Sequence, residues 1–174
     1  HNWHCFDGLE REPYASMYTT LGCPYRCTFC CIQAPFKSGE RVLGFKETIN
    51  TYRMWSVETV IQQIDAIVRQ YGVRNIKIAD EMFVLNPKHV NDLCARIIER
   101  GYDLNIWAYA RVDTIRSQET VDKLRAAGFN WLCFGIESAS ERVREDVDKS
   151  LTQDKIYQVV DQVRSAGINV IANF

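Results

Sequence analysis

Gly128-Phe129-Asn130-Trp131-Leu132-Cys133-Phe134 sets a pattern that the chain uses four times: a glycine, an asparagine within a few residues, then a short apolar run. The other three are Gly72-Val73-Arg74-Asn75-Ile76-Lys77-Ile78-Ala79, Gly101-Tyr102-Asp103-Leu104-Asn105-Ile106-Trp107-Ala108-Tyr109 and Gly167-Ile168-Asn169-Val170-Ile171-Ala172. Self-similarity of this kind marks one supersecondary unit used repeatedly. The glycine suits the left-handed position just past a helix. The apolar runs are nearly unbroken, as in strands buried on both faces.

The segments before the glycines have helical periodicity. Val57, Val60, Ile61, Ile64 and Val68 fall on one face. Asn86-Pro87 reads as an N-cap followed by proline in the first turn, and Val90, Leu93, Cys94, Ile97 and Ile98 continue an apolar stripe. His89, in that first turn, is expected at the surface. Val121 and Leu124 mark a third helix, and Ile156, Val159, Val160 and Val163 a fourth. With Tyr14 to Thr20 as an opening strand, the order is one strand and then four helix–strand units. That order means an α/β fold of parallel strands with right-handed crossovers. An open doubly wound sheet and a barrel share it. In both, reactive groups belong at the carboxyl ends of the strands.

The polar residues cluster there. Cys23, Cys27 and Cys30 follow the first strand, Asp80 and Glu81 the second, Arg111 and Asp113 the third, Glu137 and Ser138 the fourth. Residues 1–12 and the insertion from Lys37 to Trp55 read as irregular, and long loops in compact domains are often functional. The chain begins at His1 and stops at a strand, so we expect a piece of a longer protein.

Charge is nearly balanced, with a formal net charge of −1. No basic stripe suggests nucleic acid. No apolar run is long enough to span a bilayer, and no signal-peptide pattern opens the chain. An odd cysteine count, 7, with three crowded on one loop, argues against a disulfide framework and for a reducing, cytoplasmic setting.

That loop is Gly22-Cys23-Pro24-Tyr25-Arg26-Cys27-Thr28-Phe29-Cys30. Three thiolates spaced this way can hold three irons of a cubic cluster. An ordinary four-iron cluster takes four cysteines, so three leave one iron open for a small molecule. Zinc is the rival, but a structural zinc needs four ligands. Cys31 abuts Cys30, whereas Cys94 on a helix face and Cys133 inside a strand read as small buried hydrophobes. His1, His4 and Cys5 form a weaker metal-ligand candidate. Two carboxylates directly after a buried strand, Asp80 and Glu81, are costly unless paired or set at a cleft. Arg111 could pair with Asp113 or bind a ligand. Trp107 and Tyr109 read as core.

Cys-x-x-x-Cys-x-x-Cys with an aromatic, Phe29, before the last cysteine resembles the motif of the radical S-adenosylmethionine superfamily. The flanking Thr20-Leu21-Gly22-Cys23-Pro24 and Gly135-Ile136-Glu137-Ser138 are similar too. The resemblance implies a partial (βα)6-type TIM-like barrel, of which this chain supplies about five strands. Residues 1–13 would be a lead-in and 14–174 a core domain short of its last unit. It also implies a [4Fe-4S] cluster on Cys23, Cys27 and Cys30, with S-adenosylmethionine chelating the open iron. Reductive cleavage would yield a 5′-deoxyadenosyl radical that takes hydrogen from an unidentified substrate. The electron would come from a flavodoxin- or ferredoxin-like reductant.

By position, the backbone near Phe29 would contact adenine. Asp80 or Glu81 would hold the amino group, Arg111 would face the methionine carboxylate, and Glu137 and Ser138 would lie near the ribose or amino group. Ala79-Asp80-Glu81 departs from the usual Gly-Gly-Glu-like motif. Ile78 to Phe83 and Trp107 to Arg111 resemble the branch whose members carry an N-terminal cobalamin-binding domain, so cobalamin would be supplied from upstream. A macromolecule-directed methyltransferase or methylthiotransferase, and a non-catalytic electron-transfer or scaffold domain, are the competing readings.

Overall fold

The structure is a computed structural model that describes residues 13–25, 27–32, 42–44 and 52–174. His1, His4 and Cys5, and most of the insertion from Lys37 to Trp55, lie outside the described residues. The chain runs through β1 (Tyr14–Met17), β2 (Thr20–Leu21), β3 (Arg53–Met54), α1 (Val57–Tyr71) and β4 (Asn75–Ile78). It continues through α2 (Pro87–Arg100), β5 (Asn105–Ala110), α3 (Gln118–Ala126), β6 (Phe129–Gly135), α4 (Glu141–Asp146), α5 (Gln153–Ser165) and β7 (Asn169–Asn173).

Five strands form one sheet in the order β1-β4-β5-β6-β7, every pair parallel. A doubly wound sheet reverses its strand order part-way; this one does not. Side chains of α1, α2, α3 and α5 share a single core cluster with Ile76, Ile78, Ile106, Ala108, Leu132 and Phe134. Helices therefore cover one face of the sheet, as on the outside of a barrel.

Each long helix starts on a side chain that accepts an otherwise orphaned amide. Ser56 takes the Thr59 amide, Asn86 that of His89, Ser117 that of Thr120 and Thr152 that of Lys155. Gly72, Gly101, Gly128 and Gly167 all have positive φ. At Gly128 space is limiting as well, since a Cβ would lie 2.5 Å from the Leu104 carbonyl oxygen.

The repeat asparagines meet at the amino-terminal edge of the sheet. Asn105 Nδ2 donates to Asn75 Oδ1 at 2.9 Å, and Asn130 Nδ2 to Asn105 Oδ1 at 3.1 Å. Asn169 Nδ2 donates to the Asn130 carbonyl at 3.3 Å, and Arg125 closes on Asn130 Oδ1. Asn75 and Asn105 are fully buried, so the bonds of the row offset part of the desolvation of these amides, while Asn75 Nδ2 has no partner among the described residues.

Two readings need correction. The expected strand from Tyr14 to Thr20 ends at Met17; the chain turns out of the sheet, and Thr20–Leu21 pairs antiparallel with Arg53–Met54. His89 is half-buried rather than exposed, because Asn86 ties its amide into the start of α2. Burial lowers its pKa.

Candidate functional site

Asp80 explains why the first strand breaks. It is fully buried, and it accepts the Thr19 amide at 2.6 Å, the Thr19 hydroxyl at 2.5 Å and the Thr20 hydroxyl at 2.9 Å. The end of β4 thus anchors the chain just before the cysteine loop. Burial pushes the Asp80 carboxyl up, against the pull of those donors. Its neighbour points elsewhere: Glu81 Oε2 accepts the Gly22 amide at 3.1 Å. Gly22 has φ 87°, and the cysteine loop begins at the next residue.

Cys23, Cys27 and Cys30 line one cleft of about 460 Å3 at the carboxyl ends of the strands. That lies within the range of small-molecule sites, roughly 300–1,000 Å3. Phe29, Glu81, Arg111 and Glu137 line it too. The loop is braced by the Cys30 amide on the Cys27 carbonyl at 3.0 Å and the Thr28 amide on the Val147 carbonyl at 3.2 Å. Burial pushes the Cys23 thiol up, with the Tyr25 amide and the Arg111 guanidinium pulling it down. Cys31 is exposed and is not part of the cleft lining, while Cys94 and Cys133 are buried.

Arg111, at the end of β5, is committed on three sides. Nε and Nη2 donate to the two Asp113 oxygens at 2.9 and 3.0 Å. Nη1 donates to Cys27 Sγ at 3.4 Å, and the guanidinium stacks on the Tyr25 ring at 3.8 Å. Planar, delocalised arginine can do all of this at once; lysine cannot.

Glu137, past β6, adopts φ 67°. Its Oε1 accepts Lys149 Nζ at 2.6 Å, and its amide and that of Ile136 both donate to the Asn173 carbonyl. A Cβ on Gly135 would lie 2.5 Å from that Oε1 and 2.8 Å from that Nζ, so any larger residue there would make the ends of the ion pair shift.

Over residues 17–174 the sequence matches the radical SAM superfamily. The chain belongs to that superfamily. An uncharacterized methyltransferase of Pyrococcus horikoshii is 30% identical over 93% of this chain and 32% of its own length. The bacteriochlorophyllide d C-8(2)-methyltransferase of Chlorobaculum tepidum is 24% identical over 97% of this chain and 36% of its own length. The chain thus spans about a third of these curated relatives. Among solved structures, the radical S-adenosylmethionine methyltransferase TsrM of Kitasatospora setae, with cobalamin and a [4Fe-4S] cluster bound, superposes with a TM-score of 0.73. It is 20% identical, over 91% of this chain and 28% of its own. The cobalamin-dependent S-adenosylmethionine radical enzyme OxsB gives a TM-score of 0.73 at 24% identity, over 90% of this chain and 23% of its own. These last two likenesses are of fold.

For a radical SAM protein the implied cofactors are a [4Fe-4S] cluster and S-adenosylmethionine, and the donor set suits them. Among the described residues no three His, Cys, Asp or Glu side chains converge as ligands of one metal ion. A cubic cluster asks for no such convergence, because each thiolate takes a different iron. Carboxylates of Glu81 and Glu137 and cations of Arg111 and Lys149 line the same cleft, which matches an amino acid group carrying both charges.

Lys149 was not legible in the sequence. It sits between α4 and α5, outside any motif, yet is 5% exposed and lines the cleft. Its amide donates to the Arg144 carbonyl at 2.9 Å. Arg144, fully buried, donates to the Leu151 and Ser138 carbonyls at 2.7 and 2.5 Å and so fixes that segment. Ser138 is not part of the cleft lining; its hydroxyl accepts the Ser140 amide at 3.1 Å and shapes the entry to α4.

Proposed function

We propose that this chain is the core of a radical enzyme whose chemistry takes place in the cysteine-lined cleft. The observation that carries this is the convergence of Cys23, Cys27 and Cys30 with acids and bases from three other strand ends on one cleft. When bound, the reduced cluster supplies the electron that opens S-adenosylmethionine to methionine and a 5′-deoxyadenosyl radical, which takes hydrogen from substrate. Cys23, Cys27 and Cys30 hold the cluster. Glu81 receives the amino group, with its other oxygen fixed by Gly22. Glu137, oriented by Lys149, receives the ribose or amino group. Arg111 steadies Cys27 and presents positive charge to the methionine carboxylate. Phe29 covers the adenine side, and Asp80 positions the loop from beneath. Ser138 shapes the turn after Glu137 rather than contacting cofactor. A flavodoxin- or ferredoxin-like protein delivers the electron.

A second reading is cobalamin-dependent methyl transfer, with cobalamin held outside this chain. The methyltransferase names among the relatives favour it. The test uses the full-length protein, reconstituted with iron and sulfide without oxygen. Cys27→Ala should lose iron and Cys31→Ala keep it. Dithionite and S-adenosylmethionine should then yield 5′-deoxyadenosine. S-adenosylhomocysteine formed alongside it, dependent on cobalamin, selects the second reading. Zinc without iron in the native protein, or neither 5′-deoxyadenosine nor S-adenosylhomocysteine with any reductant and cobalamin, refutes both.

A further inference from the structure

Among the described residues, the face of the sheet away from the helices carries a cation with no carboxylate counter-ion. Lys77 lies between Ile76 and Ile78, which are 0% and 1% exposed in the core under the helices. Strand alternation therefore sends Lys77 to the opposite face. Its Nζ sits 4.7 Å from the Trp107 ring centroid and 5.6 Å from that of Tyr109. Trp107 is its register partner on β5, and the two rings meet edge to face with centroids 4.5 Å apart. Among the described residues Lys77 has no hydrogen bond or ion pair to a carboxylate. Two acids that follow β4 and β6 are already engaged: Asp80 by Thr19 and Thr20, Glu137 by Lys149.

A second group there also lacks a partner. Trp107 is 7% exposed, and its Nε1 is buried with no acceptor among the described residues. A desolvated indole N–H costs about 1–3 kcal/mol when unmatched. A half-buried ammonium over ring faces, with no carboxylate among the described residues, is likewise incomplete. Both deficits have the same remedy, an acceptor that carries negative charge. Tyr109 lines the cysteine cleft, so the patch continues into the proposed reaction site. Lys77 stands two residues before Ala79 of the same lining, roughly 7 Å down the strand.

We propose that Lys77, Trp107 and Tyr109 form a seat for an anionic group, carboxylate or phosphate, on the substrate of this enzyme. The seat rests on the proposed function, because it holds one end of a molecule whose other end reaches the cleft. Aromatic walls around a single cation suit an anion attached to an apolar or ring-bearing body. Small inorganic anions should occupy the seat weakly by themselves.

The experiment uses the full-length protein with no S-adenosylmethionine and no reductant. A failure of radical chemistry thus counts against the proposed function and leaves this result intact. Lysine acylation is followed residue by residue by mass spectrometry while inorganic phosphate or acetate replaces chloride at constant ionic strength. Lys77 should be shielded by phosphate or acetate, whereas exposed Lys88 should not respond. Phosphorus line broadening gives a second measurement. Lys77→Met should weaken phosphate binding about tenfold, the loss of one charge-assisted contact, and Trp107→Phe should weaken it less. Equal acylation in all three anions, a Lys77 that is unreactive throughout because a carboxylate elsewhere in the full-length protein already holds it, or unchanged broadening in Lys77→Met would each overturn the proposal.

Discussion

Replacing Asp80 tests whether the cysteine loop is held from below. Asp80, Thr19 and Thr20 are all fully buried, and three hydrogen bonds join them. Asp80→Ala removes the acceptor of an amide and two hydroxyls where no solvent replaces it. Each stranded group costs about 1–3 kcal/mol, and the hydroxyls can rotate to recover part of it, so the loss should be about 3–5 kcal/mol. At about 2–4 °C per kcal/mol for a chain of this size, the melting temperature should fall by roughly 6–20 °C. Asp80→Asn should behave differently. Its oxygen still takes the Thr19 amide, its Nδ2 can donate to both hydroxyls, and the neutral amide sheds the desolvation that pushes the Asp80 carboxyl up. It should lie within about 1 kcal/mol of the parent. The assay is thermal unfolding of the apoprotein, with iron content after reconstitution as a second readout. If Asp80→Ala is as stable as the parent, or if Asp80→Asn is as damaged as Asp80→Ala, the anchoring argument fails.

Three further outcomes follow from the same geometry. Arg111→Lys should keep its charge but lose the two-pronged Asp113 contact and the stacking on Tyr25; cluster loading should become slower and less complete, and loading equal to the parent would refute the brace. Gly135→Ala should push Glu137 off Lys149 and weaken S-adenosylmethionine binding about tenfold with iron content unchanged, as read by calorimetry. Asp65, held below its ordinary pKa by the Arg100 hydrogen bonds, adds stability that is present above about pH 4 and is lost as pH falls through its lowered folded-state value; Asp65→Asn should therefore melt below the parent at neutral pH and converge with it in acid.

Much of the architecture was readable because its signals are local. Gly72, Gly101, Gly128 and Gly167 end helices by backbone conformation alone, and Asn86 starts one with a single side chain. The break after Met17 was not readable, since its cause lies 61 residues away in Asp80. The pairing of Thr20–Leu21 with Arg53–Met54 is also long-range in sequence. At the site, the cysteine spacing declared itself, but the division of labour between Asp80 and Glu81 did not. Adjacent residues on a chain leaving a strand point to opposite sides, and only the packed structure says which side is wet. Lys149 was hidden because a loop brings it in, and Arg144, which fixes that loop, looks on paper like any charged helix residue.

The row of asparagine amides has a consequence for assembly. A parallel sheet has no tight hairpin to fix how far one strand slides along the next. An amide on each of β4, β5 and β6, joined side chain to side chain, works as a gauge: the strands are level when the bonds close. A slip of one residue would break the row and also turn each strand over, sending Lys77 into the hydrocarbon core and Ile78 into the cleft. The gauge is read at the end of the sheet farthest from the cysteines. The chain can therefore settle its alignment before any iron arrives, and the strand ends that carry reactive side chains are left free to vary.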